Sequence, residues 1–255
     1  MGLMMYKLGV VGKEISYSLS PQIYNEFAKQ FDIKIDYQIY DIKDEPLAFV
    51  ENFFENGGFG LNITKPYKEI FTQKIIDGPE SINCIYQKGS KLKSTDGIGL
   101  INDLKSKKVD YTRMNILVYG LGGASKSILN TIQTSGNIFV GNRTEQKTEE
   151  LIKTNPVLQK YNDQSLDLVI SCAQNLDLNT IKNFEHLNLS ENSIFYDINY
   201  ANQTNTMLED IAIIQKNQFF NGLGMLVEQA AECFELWFDK KPAVEDVKYK
   251  LNERL

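Results

Sequence analysis

Five short stretches of this chain carry residue types that could do chemistry. The sharpest is Gly120-Leu-Gly122-Gly123-Ala124-Ser125, which follows the apolar run Asn-Ile-Leu-Val-Tyr and opens a helical pattern over Ala124–Thr134. Glycines at a strand-to-helix turn let the backbone approach a pyrophosphate, and the helix N-terminus adds unpaired N–H groups and positive potential. The bland alternative is merely a tight turn. The next strand, Asn137–Val140, runs into Gly141-Asn142-Arg143-Thr144, with Lys147 about one helical turn further on. An NAD site places an acidic residue there to hold the ribose hydroxyls. A fixed, planar guanidinium suits a 2′-phosphate instead. A solvated basic helix start would oppose the helix dipole, so a bound anion is the better account and the pattern reads as an NADP site.

The other four stretches are ambiguous one at a time. Ser16-Tyr-Ser18-Leu-Ser20-Pro21 is a hydroxyl-rich loop before a helix with Pro21 at its first position. Capping alone would need only Ser20, and a plain surface loop is the competing reading. Asn62-Ile-Thr64-Lys-Pro-Tyr-Lys68 ends a strand, where Lys68 could be a proton donor, an anion clamp or surface. In Ser94-Thr95-Asp96-Gly97, Asp96 could simply cap a helix beginning near Gly97. Finally, Asn221-Gly222-Leu-Gly-Met225 leads into a helix that puts Met225, Gln229 and Cys233 on one face.

The elements that must hold these residues alternate. Strands are expected at Lys7–Val11, Tyr37–Ile42, Gly58–Ile63, Asn115–Tyr119, Asn137–Val140, Asp167–Ser171 and Ser193–Ile198. Helices are expected at Pro21–Phe31, Pro46–Asn56, Ala124–Thr134 and Gln146–Lys153. Such alternation implies βαβ units and a mostly parallel sheet. Ile82–Thr95 breaks the rhythm as two strands joined by a turn at Gln87–Lys91, and Met225–Asn252 reads as helical with a break at Lys241-Pro242. The expected fold class is α/β: an N-terminal α/β domain of residues 1–102 with 224–255, and a Rossmann-type, doubly wound parallel-sheet domain of 103–223.

Composition narrows the chemistry. The 255 residues carry 27 basic and 33 acidic side chains, a net charge of −6, which speaks against nucleic acid. Cys84, Cys172 and Cys233 are far apart and His186 is the only imidazole, so no usual zinc ligand set is expected. A Ser-His-Asp hydrolase would have to use His186, and nothing around it suggests that. Lys7 interrupts the apolar N-terminal run, Tyr6 stands where a myristoylation signal wants Ser or Thr, and no long apolar span occurs, so a cytoplasmic protein without a membrane segment is expected. Met1, Met4 and Met5 leave the native start open.

In this order, the motifs resemble the shikimate dehydrogenase family over nearly the whole chain. The family's serine-serine-proline signature is matched by Ser18, Ser20 and Pro21, and its Asn-Val-Thr-x-Pro-x-Lys motif by Asn62 to Lys68. Its Asn-Thr pair is matched in part by Asn83 with Cys84, and its Asn-Thr-Asp-x-x-Gly by Thr95 to Gly99, with Ser94 replacing the Asn. The glycine-rich turn, the Asn-Arg-Thr patch and a closing Gly-Met-Leu-x-x-Gln are also present. The resemblance implies NADP-dependent, reversible reduction of 3-dehydroshikimate to shikimate in chorismate and aromatic amino acid biosynthesis, in a cleft between two domains. It implies Lys68 and Asp96 as the catalytic pair, with Ser18 and Ser20 on the substrate carboxylate, Tyr200 near it, Thr64 and Asn83 on ring hydroxyls, and Gln229 as a substrate-binding glutamine. For NADP it implies Gly120, Gly122, Gly123, Ala124, Asn142, Arg143, Thr144, Lys147, Gly222 and Met225, and no metal. Partners would be small molecules only, with a monomer or homodimer.

Several positions depart from the pattern. Tyr17 stands where a histidine commonly precedes the first serine, and Glu14 replaces a common proline. Ile170-Ser171-Cys172-Ala173 replaces Ile-Asn-Ala-Thr, removing an amide and a hydroxyl on the cofactor side, and Ala201-Asn202 lacks the proline that follows the family's tyrosine. Two other readings remain: a broader quinate/shikimate dehydrogenase, and a non-catalytic NADP-binding sensor of the same fold. Retention of both Lys68 and Asp96 argues against the sensor.

Overall fold

The computed structural model describes residues 5–74, 81–173, 184–200 and 207–253. They form two compact units, one of residues 1–100 with 226–254 and one of residues 101–225.

In the first unit, β1 (Met5–Gly12), α1 (Ser20–Gln30), β2 (Lys34–Asp41), α2 (Pro46–Glu55) and β3 (Gly58–Ile63) build a parallel βαβαβ core. β4 (Cys84–Tyr86) and β5 (Lys91–Lys93) then pair antiparallel, as their short, turn-punctuated runs require, giving the sheet order β2-β1-β3-β4-β5. β1 is an interior strand flanked by β2 and β3, and its Leu8, Val10 and Val11 are sealed from solvent. One face packs Val11, Leu61, Ile63 and Ile85 against Val50 and Phe53 of α2. α3 (Asp96–Ser106) follows the hairpin and crosses from one unit's residues to the other's.

The second unit is a fully parallel six-stranded sheet, β11-β10-β9-β6-β7-β8. It comprises β6 (Ile116–Tyr119), α4 (Gly123–Thr131), β7 (Ile138–Gly141), α5 (Glu145–Thr154), β8 (Leu158–Lys160), β9 (Leu166–Ser171), β10 (Leu189–Asp197), α6 (Met207–Ile214) and β11 (Gln218–Asn221). Its inner strands β6 and β7 read as nearly continuous apolar runs because both faces of a parallel sheet are covered. Leu117, Phe139, Val169 and Phe195 share one face with Leu208, Ile211 and Ala212 of α6. The order reverses between β9 and β6, so the glycine-rich turn after β6 sits at the switch point where such sheets bind ligands. α7 (Leu223–Phe238) and α8 (Glu245–Asn252) close the chain, separated at Lys241-Pro242.

Two expectations need adjusting. The helix expected to Thr134 stops at Thr131, because Ile132 is extended and buries its side chain in the core instead. Ser20 does not cap α1; the helix starts on it, and Leu19 is the capping position with no side-chain bond. Residues 1–4 and the pair Ala201-Asn202 lie outside the described residues. Among the described residues, no helix is long and apolar enough to cross a membrane.

Candidate active site

The first unit gathers a polar cluster around the C-terminal ends of β1 and β3. The loop after β1 is held by Asp41, whose carboxylate oxygens accept the backbone N–H groups of Glu14 and Ile15 at 2.8 and 3.0 Å. That clamp sets up Ser18, whose hydroxyl donates to Ser20 Oγ at 3.1 Å and accepts the Ser20 N–H at 3.3 Å. The two hydroxyls thus lie side by side where the loop enters α1, and it is Ser18, not Ser20, that meets a first-turn N–H. Thr64, at the end of β3, sits against Gly12, where an added Cβ would come within 2.5 Å of its methyl group.

Lys68 lies in a short 3-10 turn just past β3, and its Nζ is 2.5 Å from Asp96 Oδ2. Asp96 occupies the first turn of α3, where a carboxylate complements the helix dipole. The Asp96 side chain is 5% exposed and that of Lys68 19%, so the ammonium keeps an opening to the site while its counter-ion is sealed behind it. Asn83, buried, donates from Nδ2 toward Thr95 Oγ1 at 2.8 Å, Gln229 Oε1 at 2.8 Å and Asp96 Oδ1 at 3.1 Å. Gln229 reaches this cluster because Gly99 of α3 lets α7 come close: a Cβ there would meet the Gln229 backbone N at 2.8 Å. Residues from four separate sequence segments therefore form one hydrogen-bonded network, in which Lys68 and Asn83 meet Asp96 and Gln229 meets Asn83. An ammonium held by a buried carboxylate and flanked by amides is suited to donate a proton to, and bind, an oxygen-rich ligand.

The second unit carries the other set. Gly120 has φ +93°, and a Cβ on it would stand 2.7 Å from the backbone N of Ala173. Gly122 precedes α4 with open space where its side chain would be and with no side-chain cap. Gly123 and Ala124 begin α4, so its first N–H groups face an unobstructed approach. Asn142 staples this turn to the next strand end: its Oδ1 accepts the Leu121 N–H at 3.3 Å and its Nδ2 donates to the Thr144 carbonyl at 3.1 Å. Arg143 and Lys147 are exposed beside it. A cavity of about 600 Å³ adjoins this patch, lined in part by Arg143, Lys160, Tyr161, Phe184 and His186. A glycine cradle, a bare helix N-terminus and exposed cations fit a dinucleotide carrying an extra phosphate.

Comparison with known proteins gives one answer. The family model of the shikimate dehydrogenase substrate binding domain matches residues 10–79, and that of the shikimate 5'-dehydrogenase C-terminal domain matches residues 222–248. The NADP(+) shikimate dehydrogenase of Vesicomyosocius okutanii is 34% identical over 265 residues, covering 95% of this chain and 98% of the relative. The chain belongs to the shikimate dehydrogenase family. The relative from Legionella pneumophila strain Lens is 32% identical over 263 residues, covering 96% and 97%. Among solved structures, the fold is shared with the Thermus thermophilus enzyme in complex with NADP(H) and shikimate (TM-score 0.82, 21% identity, covering 98% of this chain and 100% of that one). It is shared too with a shikimate dehydrogenase in complex with NADP+ (TM-score 0.81, 24% identity, covering 98% and 96%).

For a shikimate dehydrogenase, the first-unit cluster brings together Ser18 with Ser20, and Lys68, Asp96, Asn83 and Gln229 with one another. Tyr200 follows β10 in the second unit, half-buried, and Gly222 and Met225 flank the start of α7 there, both buried. Three members of the first-unit network had no role in the sequence reading: Asn62, Thr95 and Cys233. Only the same-face spacing of Cys233 with Gln229 pointed toward them.

Proposed function

We propose that this chain is an NADP-dependent shikimate dehydrogenase, reducing 3-dehydroshikimate reversibly to shikimate on the route to chorismate and aromatic amino acids. The observation that carries the reading is the Lys68–Asp96 pair at 2.5 Å, set among amide and hydroxyl groups rather than apolar ones. Shikimate is a small polyhydroxylated carboxylate, and such a site offers it hydrogen-bond partners at every side.

In this reading, residues 1–102 with 224–255 bind the substrate and 103–223 bind NADP. Ser18 and Ser20 donate their hydroxyls to the substrate carboxylate, with Tyr200 adding a third; Thr64, Asn83 and Gln229 engage ring hydroxyls. NADPH, when bound, supplies the hydride for the carbonyl carbon. Lys68 Nζ gives a proton to the carbonyl oxygen as negative charge develops there, and Asp96 keeps the ammonium oriented. In the oxidative direction the neutral amine takes the hydroxyl proton back. The glycine turn from Gly120 to Ala124 holds the pyrophosphate, with Gly222 and Met225 completing the cofactor side. Arg143, stiffened by Asn142 and flanked by Thr144 and Lys147, takes the 2′-phosphate. The protein would be cytoplasmic, a monomer or homodimer, with small molecules as its partners.

The test is nicotinamide absorbance during oxidation of shikimate, with NADP and NAD in parallel and quinate as a second acid. Turnover of shikimate with NADP supports the reading. Comparable turnover of quinate would convert it to a broader dehydrogenase, and NADP binding without turnover of either acid would leave a sensor.

A further inference from the structure

Cys233 is fully buried on α7, one turn beyond Gln229, and a cysteine in such a place ordinarily behaves as a small apolar filler. Here its sulfur sits among polar side chains. Asn62 Nδ2 donates to Cys233 Sγ at 3.3 Å, and Thr95 Oγ1 lies 3.3 Å from the same sulfur. Asn62 has no donor left for a ligand: its other Nδ2 hydrogen goes to the Asn83 carbonyl at 3.0 Å, and its Oδ1 accepts the Tyr37 hydroxyl at 2.7 Å. The Thr95 hydroxyl donates to the Gln229 carbonyl at 2.9 Å, so the thiol hydrogen is the one that fits between sulfur and Thr95 Oγ1. Thr95 in turn grips the Asn83 amide from two sides, through its backbone N–H to Oδ1 and through its hydroxyl oxygen to Nδ2, each at 2.8 Å.

We propose that Cys233 is a positioning residue for substrate recognition, bridging Asn62 and Thr95 so that Thr95 fixes the Asn83 amide and the Gln229 turn in the orientation that meets ring hydroxyls. It touches no substrate itself. Through Asn62 and Thr95 the thiol joins β3 to the N-terminus of α3 beneath the ligand-facing layer, and the buried Cys84 thiol is a further partner of the same sulfur. This rests on the reading of Asn83 and Gln229 as substrate contacts.

The test replaces Cys233 by valine, about one methyl group larger and unable to hydrogen-bond, and by serine, which keeps both a donor and an acceptor. Cys233→Val raises KM for shikimate about three- to tenfold, the scale of one lost hydrogen bond, with kcat and the KM for NADP within about twofold. Cys233→Ser returns the shikimate KM toward the parent value. In an Asn83→Ala background, Cys233→Val adds no further rise, because two residues acting through one network are not additive. If the valine variant does not fold, the same comparison is made between Cys233→Ala and Cys233→Ser. An unchanged shikimate KM in the apolar variant, a serine variant no better than it, or an equal rise in both KM values overturns the assignment and leaves Cys233 as packing. Asn83→Ala separates the two levels: an unchanged KM there removes the substrate reading itself, whereas a raised KM beside a silent Cys233→Val removes only the bridge.

Discussion

The Tyr196 hydroxyl donates to Asp103 Oδ2 at 2.7 Å, and neither side chain is accessible to solvent. A sealed carboxylate persists only with partners, and Lys107, one turn on, supplies two more hydrogen bonds at 2.8 and 2.9 Å. Gly224 is required beside them, since a Cβ there would fall 2.0 Å from Asp103 Oδ1. Tyr196→Phe leaves a buried carboxylate oxygen short of a donor and lowers stability by about 1–3 kcal/mol. Urea denaturation measures it; a midpoint equal to the parent's would show that the tyrosine hydroxyl adds nothing to the carboxylate's other partners.

Lys68→Ala lowers turnover of shikimate by about 10²–10⁴, the usual scale of general acid–base catalysis. Steady-state rates with NADP saturating check this. Near-normal turnover would take Lys68 out of the proton transfer.

Arg143→Ala raises the KM for NADPH and leaves that for NADH nearly unchanged. Parallel titrations with the two cofactors decide it, and equal losses would argue against a contact with the 2′-phosphate.

Gly120→Ala places a methyl group on a residue at φ +93°, facing the Ala173 backbone at 2.7 Å. Backbone strain of this kind costs about 1–3 kcal/mol, and the turn it distorts is the one assigned to the pyrophosphate. The variant should melt earlier and bind NADP more weakly, both readable by thermal shift with and without cofactor.

Glu26 on α1 is bonded by Lys250 at 2.6 Å and Lys29 at 2.5 Å. Those two bonds, Lys250's foremost, hold its carboxyl down from 4.5 to about 2. A carboxyl depressed by folding contributes stability at pH values above its unfolded pKa and loses it as pH falls toward the folded one. Glu26→Gln should therefore lower the Tm near neutrality, and the parent and variant curves should converge between about pH 4.5 and 2. Parallel curves across that window would mean that the bonds to Lys250 and Lys29 add nothing.

The parallel core was legible because buried strands carry short unbroken apolar runs, such as Ile116–Tyr119 and residues 168–170 of β9. β8 and β11 were not: Leu158–Lys160 has three residues, two of them exposed and polar, and Gln218–Asn221 mixes polar and aromatic side chains. The glycine-rich turn carried its own chemistry, since a positive φ and a close backbone neighbour demand glycine at position 120. The polar cluster did not. Asn83 and Gln229 are 146 positions apart, and only the fold brings them to 2.8 Å; taken singly, each resembles an ordinary surface amide. Thr95 and Cys233 were harder still, because nothing in a buried threonine or cysteine distinguishes a hydrogen-bonding role from simple filling.

The Asn83 amide nitrogen owns two hydrogens, yet three oxygens stand within its reach: those of Thr95, Gln229 and Asp96. Two hydrogens cannot serve all three at once, and since the Cys233 thiol also meets Thr95 and the Lys68 ammonium also meets Asp96, the Gln229 oxygen is the acceptor with room for a further donor. An incoming alcohol group brings that donor with it and relieves the mismatch, whereas an analogue lacking the hydroxyl leaves a buried acceptor bare. Unsatisfied buried groups cost more than an average hydrogen bond contributes, so discrimination against deoxy analogues should exceed what the contact itself is worth.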